Sequence, residues 1–113
     1  MPRYLTIFTA DVIRQPTQEE MQTMGAYMGQ QAAKGRFILG GGLKRRDADG
    51  LQVRRKGDRY TVQDGGAPWA AGTGFAILEA PSREALIADV KEFLGIAGDG
   101  VSEIIEISSP PPQ

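Results

Sequence analysis

The chain has 113 residues and contains neither histidine nor cysteine. Any proton transfer, nucleophilic attack or ligand anchoring therefore falls to carboxylates, Tyr, Lys, Arg, Ser or Thr. The same two absences exclude disulfides, thiolate catalysis and metals held by sulfur or imidazole. Four side chains stand where the remaining chemistry could gather. Asp64 precedes Gly65-Gly66 and a Pro68-Trp69 loop, where its carboxylate could act as a general base or a ligand anchor and Trp69 could close over an apolar ligand. Tyr27, within a predicted helix, and Arg36, just beyond it, could orient such a ligand. The same residues have plainer uses: an Asp before two glycines is also a turn residue bonding its own backbone, and a lone Trp after Pro is also a core or interface plug. The pattern calls for no metal and no cofactor.

The elements that must position these groups can be read in order. Residues 4–10 are rich in β-branched and aromatic types and apolar on both alternating faces at their centre, which predicts a strand covered on both sides. Thr17-Gln18-Glu19-Glu20 fits a capping box and opens a helix. Met21, Met24, Gly25, Met28 and Ala32 recur along it at intervals of three and four, which puts them on one stripe, with Gln18, Gln22 and Gln30 facing outward. Three of the four methionines lie on that stripe. Met can line an adaptable pocket, but helical spacing favours core packing, with Tyr27 at the stripe's edge. The helix ends at Lys34-Gly35.

Residues 37–39 predict a short buried strand running into Gly40-Gly41-Gly42, where a bulge or a close backbone approach is expected. Neither a Walker loop nor a dinucleotide fingerprint is present. Residues 73–79 form a strand, and Ser82 caps a helix with Glu84 in its first turn. Leu86, Ile87, Val90, Phe93 and Leu94 form that helix's apolar stripe, and Gly95 and Gly98 are expected to break it. A last strand covers residues 101–107, and residues 109–113, with three prolines, form a flexible extended tail. The succession is strand, helix, strand, extra hairpin, strand, helix, strand. It predicts an α+β domain over residues 1–108, a ferredoxin-like split β-α-β sheet with an added β-hairpin.

Between Lys44 and Arg59 seven basic residues face three acidic ones, a local charge of +4 in a chain whose total is −1. Turn signals at residues 47–50 and 56–58 flank Leu51-Gln52-Val53-Arg54-Arg55, so the segment predicts short, solvated, paired strands. A basic patch of this kind could contact phosphates. Nucleic-acid binding is nonetheless disfavoured: edge strands carry Lys and Arg to discourage pairing, aromatic interleaving is missing apart from Tyr60, and the isoelectric point is 5.4. No apolar run approaches the roughly 20 residues of a membrane span, and the start lacks a signal peptide's basic and apolar regions. A cytoplasmic protein without membrane contact is expected.

The order of short motifs resembles the YCII-related family, specifically its DGPF branch. Thr61-Val62-Gln63-Asp64-Gly65 stands in the place of that branch's T-V-T-D-G-P-F signature, and Gly41-Gly42-Leu43 in that of its G-x-x-L strand end. Phe75-Ala76-Ile77-Leu78-Glu79-Ala80 with Ser82-Arg83-Glu84-Ala85 matches its G-Y-x-I-x-x-x-S-x-E-E-A segment, and Ala97-Gly98-Asp99-Gly100 onward resembles its closing G-x-G-x-x-E-I-R-P. The resemblance implies a dimeric α+β barrel, two ferredoxin-like sheets packed face to face with helices outside. Two departures bear on chemistry: Gly66-Ala67 replaces the signature's Pro-Phe, and the histidine that pairs with an aspartate as a proposed acid–base couple in a sister branch is absent, leaving Asp64 without that partner.

Two functions are open at this point. One is small-molecule binding in a cleft near the Asp64–Trp69 loop, with or without weak acid–base chemistry. The other is a non-catalytic dimeric regulatory or interaction protein, linked through the resemblance to transcription initiation. A homodimer is expected on separate grounds. Two helices cover one face of a four-stranded sheet, yet Leu5, Ile7, Phe8, Ile77, Leu78, Ile104 and Ile105 place apolar side chains on both.

Overall fold

The chain pairs its strands around the first of them. A computed structural model describes residues 1–12, 14–65 and 73–108; Trp69 and the tail 109–113 lie outside the described residues. The strands are β1 (Arg3–Ala10), β2 (Phe37–Gly42), β3 (Leu51–Lys56), β4 (Arg59–Asp64), β5 (Gly74–Glu79) and β6 (Gly100–Glu106). The helices are α1 (Gln18–Ala33), α2 (Arg46–Asp49) and α3 (Arg83–Ala97). Four strands form one sheet in the order β2-β5-β1-β6, every neighbouring pair antiparallel. β1 and β2 thus run the same way with β5 between them, the split β-α-β arrangement expected. β3 and β4 form a separate two-stranded sheet. No barrel closes within the single chain.

Local chemistry sets both long helices. Thr17 accepts a hydrogen bond from the Glu20 backbone N–H while the Glu20 carboxylate accepts one from the Thr17 N–H, so the capping box satisfies two orphan donors of α1. Ser82 caps α3 through the Ala85 N–H. α3 runs through Gly95 and stops at Gly98, whose φ of 102° lies in the region that favours glycine. Gly95 therefore does not break it: one glycine inside a helix costs only about 1 kcal/mol relative to alanine, and the helix is held by its buried Leu86 and Val90. Residues 46–49 form a helical turn rather than an open one, tied by the Asp49 N–H to the Arg45 carbonyl.

The strand registers separate the sheet into two faces. Tyr4, Thr6 and Phe8 lie across from Leu78, Ala76 and Gly74 on one side and from Glu106, Ile104 and Ser102 on the other, and this face carries the helices. Ala80, Leu86 and Val90 make the buried cluster, packed by Tyr4, Leu78, Ala85 and Leu94. Phe8 meets the Phe93 ring edge to face at 5.3 Å. The opposite face holds Leu5, Ile7, Phe75 and Ile77, half-buried, with exposed Leu39, Val101 and Ile105 around them.

Glycine has a specific use in β2. A Cβ on Gly40 would stand 2.6 Å from the Phe75 carbonyl oxygen and 3.0 Å from the Phe37 ring, so the expected close backbone approach is present. The register irregularity lies just before it, between Phe37 and Leu39. Ile38 and Leu39 are exposed, in contrast to the buried strand expected, because β2 is an edge strand and the bulge turns these side chains away from the helices. No helix among the described residues is long and apolar enough to cross a membrane.

Candidate functional site

α1 packs against α3 and β2, and between α1 and the sheet the helix side opens into a cleft of about 1170 Å³. Its apolar walls include Phe8, Phe37 and Phe93 together with Met24, Tyr27 and Met28. The face of α1 that lines it carries Met21, Met24, Gly25 and Met28 of the stripe read from the spacing, together with Tyr27 and Gln31. Tyr27 and Gln31, one turn apart, are the buried residues of the helix, whereas Met21, Gly25 and Ala32 are exposed. The reason is a partner distant in sequence: the Tyr27 hydroxyl donates a 2.7 Å hydrogen bond to the Asp89 carbonyl of α3, which lets the ring go inward with its polar end satisfied. Burial pushes the Tyr27 phenol up to about 12 from its ordinary 10, with the nearby Glu92 and Asp89 charges adding to the effect.

Arg36 reaches the same residue. Its Nη1 donates to Asp89 Oδ2 at 2.7 Å, a partly buried ion pair tying the end of α1 to the middle of α3. Two residues singled out from the sequence, Tyr27 and Arg36, thus converge on Asp89, Tyr27 and Asp89 within the lining and Arg36 behind it. Asp64 is elsewhere. It ends β4 opposite Leu51, exposed, outside the cleft lining and without a hydrogen bond or ion pair to another described residue. The next residue, Gly65, takes φ 78° and donates its N–H to the Gly50 carbonyl at 2.8 Å, closing the base of the hairpin. Trp69 lies outside the described residues.

Two polar side chains sit inside the apolar lining. Thr6, buried at the centre of β1, donates weakly to the Ala76 carbonyl at 3.4 Å. Gln31 is 6% exposed and its side-chain amide makes no hydrogen bond to another described residue. An amide has two donors and two acceptor positions, and buried polar groups are paired in the great majority of cases, so this one stands out among the residues of the lining. Sequence reasoning missed it because a Gln on an amphipathic helix ordinarily faces water. The available signal was its position one turn after Tyr27, on the same face.

At the mouth, Arg14 donates through Nη1 and Nη2 to both Glu20 oxygens, and this pair with the Thr17 backbone N–H holds the Glu20 carboxyl down at about 2. Asp11, Glu20, Asp89 and Asp99 outnumber Arg14 among the charged residues of the lining. Among the described residues no group of three or more carboxylates is gathered closely enough to hold a metal ion. The arrangement can enclose an apolar molecule and offer it hydrogen bonds, and its field is unfavourable to a carboxylate ligand. The chain matches no protein-family model, and no curated protein is significantly similar to it.

Proposed function

We propose that the chain is a cytoplasmic, YCII-related homodimer whose helix-side cleft binds a small, mostly apolar, uncharged molecule through the Gln31 amide. The observation that carries the reading is that amide, buried and without a hydrogen bond to another described residue, in a cleft whose lining includes Phe8, Phe37, Phe93, Met24, Tyr27 and Met28. Such a site follows the usual composition of small-molecule pockets, predominantly apolar with a few placed polar groups. A phenol or lactone supplies a hydroxyl or carbonyl for the amide and a body for the aromatic walls. Asp64 has no role in this reading. The homodimer is supported by the second sheet face, where Leu39, Val101 and Ile105 are exposed beside Leu5, Ile7, Phe75 and Ile77. Contiguous exposed apolar residues of this kind mark association surfaces, and a two-fold contact lets one face serve both copies.

The test is a thermal-shift screen with neutral phenols, lactones and small carboxylates. A ligand at 100 times its Kd raises native stability by about 2.7 kcal/mol, so a binder should shift the melt by several degrees. Phenols or lactones should act and carboxylates should not. A flat response to all three classes, or a response confined to carboxylates, rejects the proposal.

A further inference from the structure

The β3–β4 hairpin is two-sided. Cross-strand register puts Leu51, Val53 and Arg55 on one face with Asp64, Val62 and Tyr60, and Gln52, Arg54 and Lys56 on the other with Gln63, Thr61 and Arg59. The first face is an apolar stripe, yet Leu51, Val53, Tyr60 and Val62 are 58–69% exposed. A hairpin with one apolar face is marginal alone and needs a surface to lie on, and its own four-stranded sheet does not supply one. The radius of gyration, 16.3 Å, exceeds the roughly 13 Å of a compact chain of this length, as a projecting arm requires.

We infer that this hairpin is an arm that clasps a second copy of the chain, its apolar stripe lying along the open-face side of the partner subunit's last strand. The inference rests on the homodimer reading and adds the contact and its residues. Charge selects the partner. The hairpin Leu51–Asp64 carries four basic and two acidic residues, +2, and the whole chain −1, so the remainder carries −1 − 2 = −3, and in a two-fold pair each basic arm meets an acidic body. Shape selects the strand. On the open face β6 presents Val101, Glu103 and Ile105, the two apolar residues 51% and 68% exposed. The arm presents Val53, Val62 and Tyr60 with Arg55 among them. Neither Arg55 nor Glu103 has an ion-pair partner among the described residues, so each stripe offers the other a charge of opposite sign; Asp64, on the arm's same face, lies at the hairpin base beside Leu51, away from Arg55.

The experiment measures the dimer Kd of the full chain by sedimentation equilibrium for wild type, Arg55→Glu, Glu103→Arg and the double variant. Each single reversal should weaken the dimer at least about tenfold, the scale of close interfacial charge pairs, and the double variant should return most of that loss. Both positions are exposed, so circular dichroism and melting curves should show the fold intact. A benzophenone carried on Val62→Cys, the single thiol of an otherwise cysteine-free chain, should crosslink to residues 100–106 of a second copy in a mixture of isotopically light and heavy protein. A wild-type monomer at low micromolar concentration removes both the dimer and the arm. A wild-type dimer that ignores both reversals, or a crosslink confined to one copy, overturns the arm and leaves the dimer standing.

Discussion

Replacing Gln31 by leucine should stabilise the unliganded protein while weakening ligand binding, the reverse of what a structural residue in a helix core does. Gln31 is 6% exposed and its amide has no described partner, so most of the desolvation cost, about 1–3 kcal/mol for such a group, is already present in the native state. Leucine has a similar length, a comparable helix propensity and a smaller rotamer entropy to lose. The side chain lines an open cleft, which leaves room for the branched end without overpacking. A net gain of about 1–2 kcal/mol follows, which for a domain of this size is a rise of about 4–10 °C in Tm. The assay pairs a calorimetric melt with titration of whichever phenol or lactone gives the largest shift. Affinity should fall about tenfold or more, because an unanswered polar group on the ligand is then buried. A melting temperature lowered by several degrees would refute the reasoning, since it would show that the amide is satisfied in the native state.

Three further outcomes follow from the geometry. In a spectrophotometric titration at 295 nm, Tyr27 should ionise near pH 12; because its folded value is raised above the ordinary 10, its stabilising effect is complete below pH 10 and lost as pH climbs toward 12, and Tyr27→Phe should remove that alkaline step. Glu20 behaves oppositely: held at about 2 against an ordinary 4.5, it stabilises the fold above pH 4.5 and loses that effect as pH falls toward 2, so Glu20→Gln should flatten the acid limb of a Tm against pH curve. Gly40→Ala should cost about 1–3 kcal/mol in denaturant unfolding, because its Cβ would meet backbone, the Phe75 carbonyl at 2.6 Å, and only a shift of β2 can relieve the contact; an unchanged midpoint would show that the edge strand yields freely.

The parts legible in the sequence were those decided within a few residues. Thr17 with Glu20, and Ser82 with the amide three residues on, set helix starts through local hydrogen bonds, and the alternation of strands and helices was enough for the α+β sheet order because few topologies connect such a succession. The face of α1 was legible in part. Methionine spacing points to the side that lines the cleft, but the two buried residues of the helix, Tyr27 and Gln31, were not read from it: the Tyr27 hydroxyl is satisfied by a carbonyl 62 residues later, which no window along the chain contains. The cleft was hidden for a related reason: it is the gap left where α1 packs on α3 and β2, and a gap has no residues of its own. Asp64 drew attention through the glycines that follow it, whereas Gly65 serves the hairpin base, supplying the positive φ there.

The pairing of β1 has a consequence for synthesis. Its two neighbours are β5 and β6, so Leu5 finds Ile77 and Ile105 across from it. A ribosome adding about 5–20 residues per second takes about 3–13 s to travel from Ala10 to Gly74 and longer to reach Gly100. During that interval an apolar strand with two unpaired edges is available to any other nascent chain. An apolar strand is therefore made well before either of the strands that cover its edges. Translation arrested between the two partner strands would leave β1 with one edge open, and moving the coding order so that β1 follows β6 would shorten its wait to a few residues.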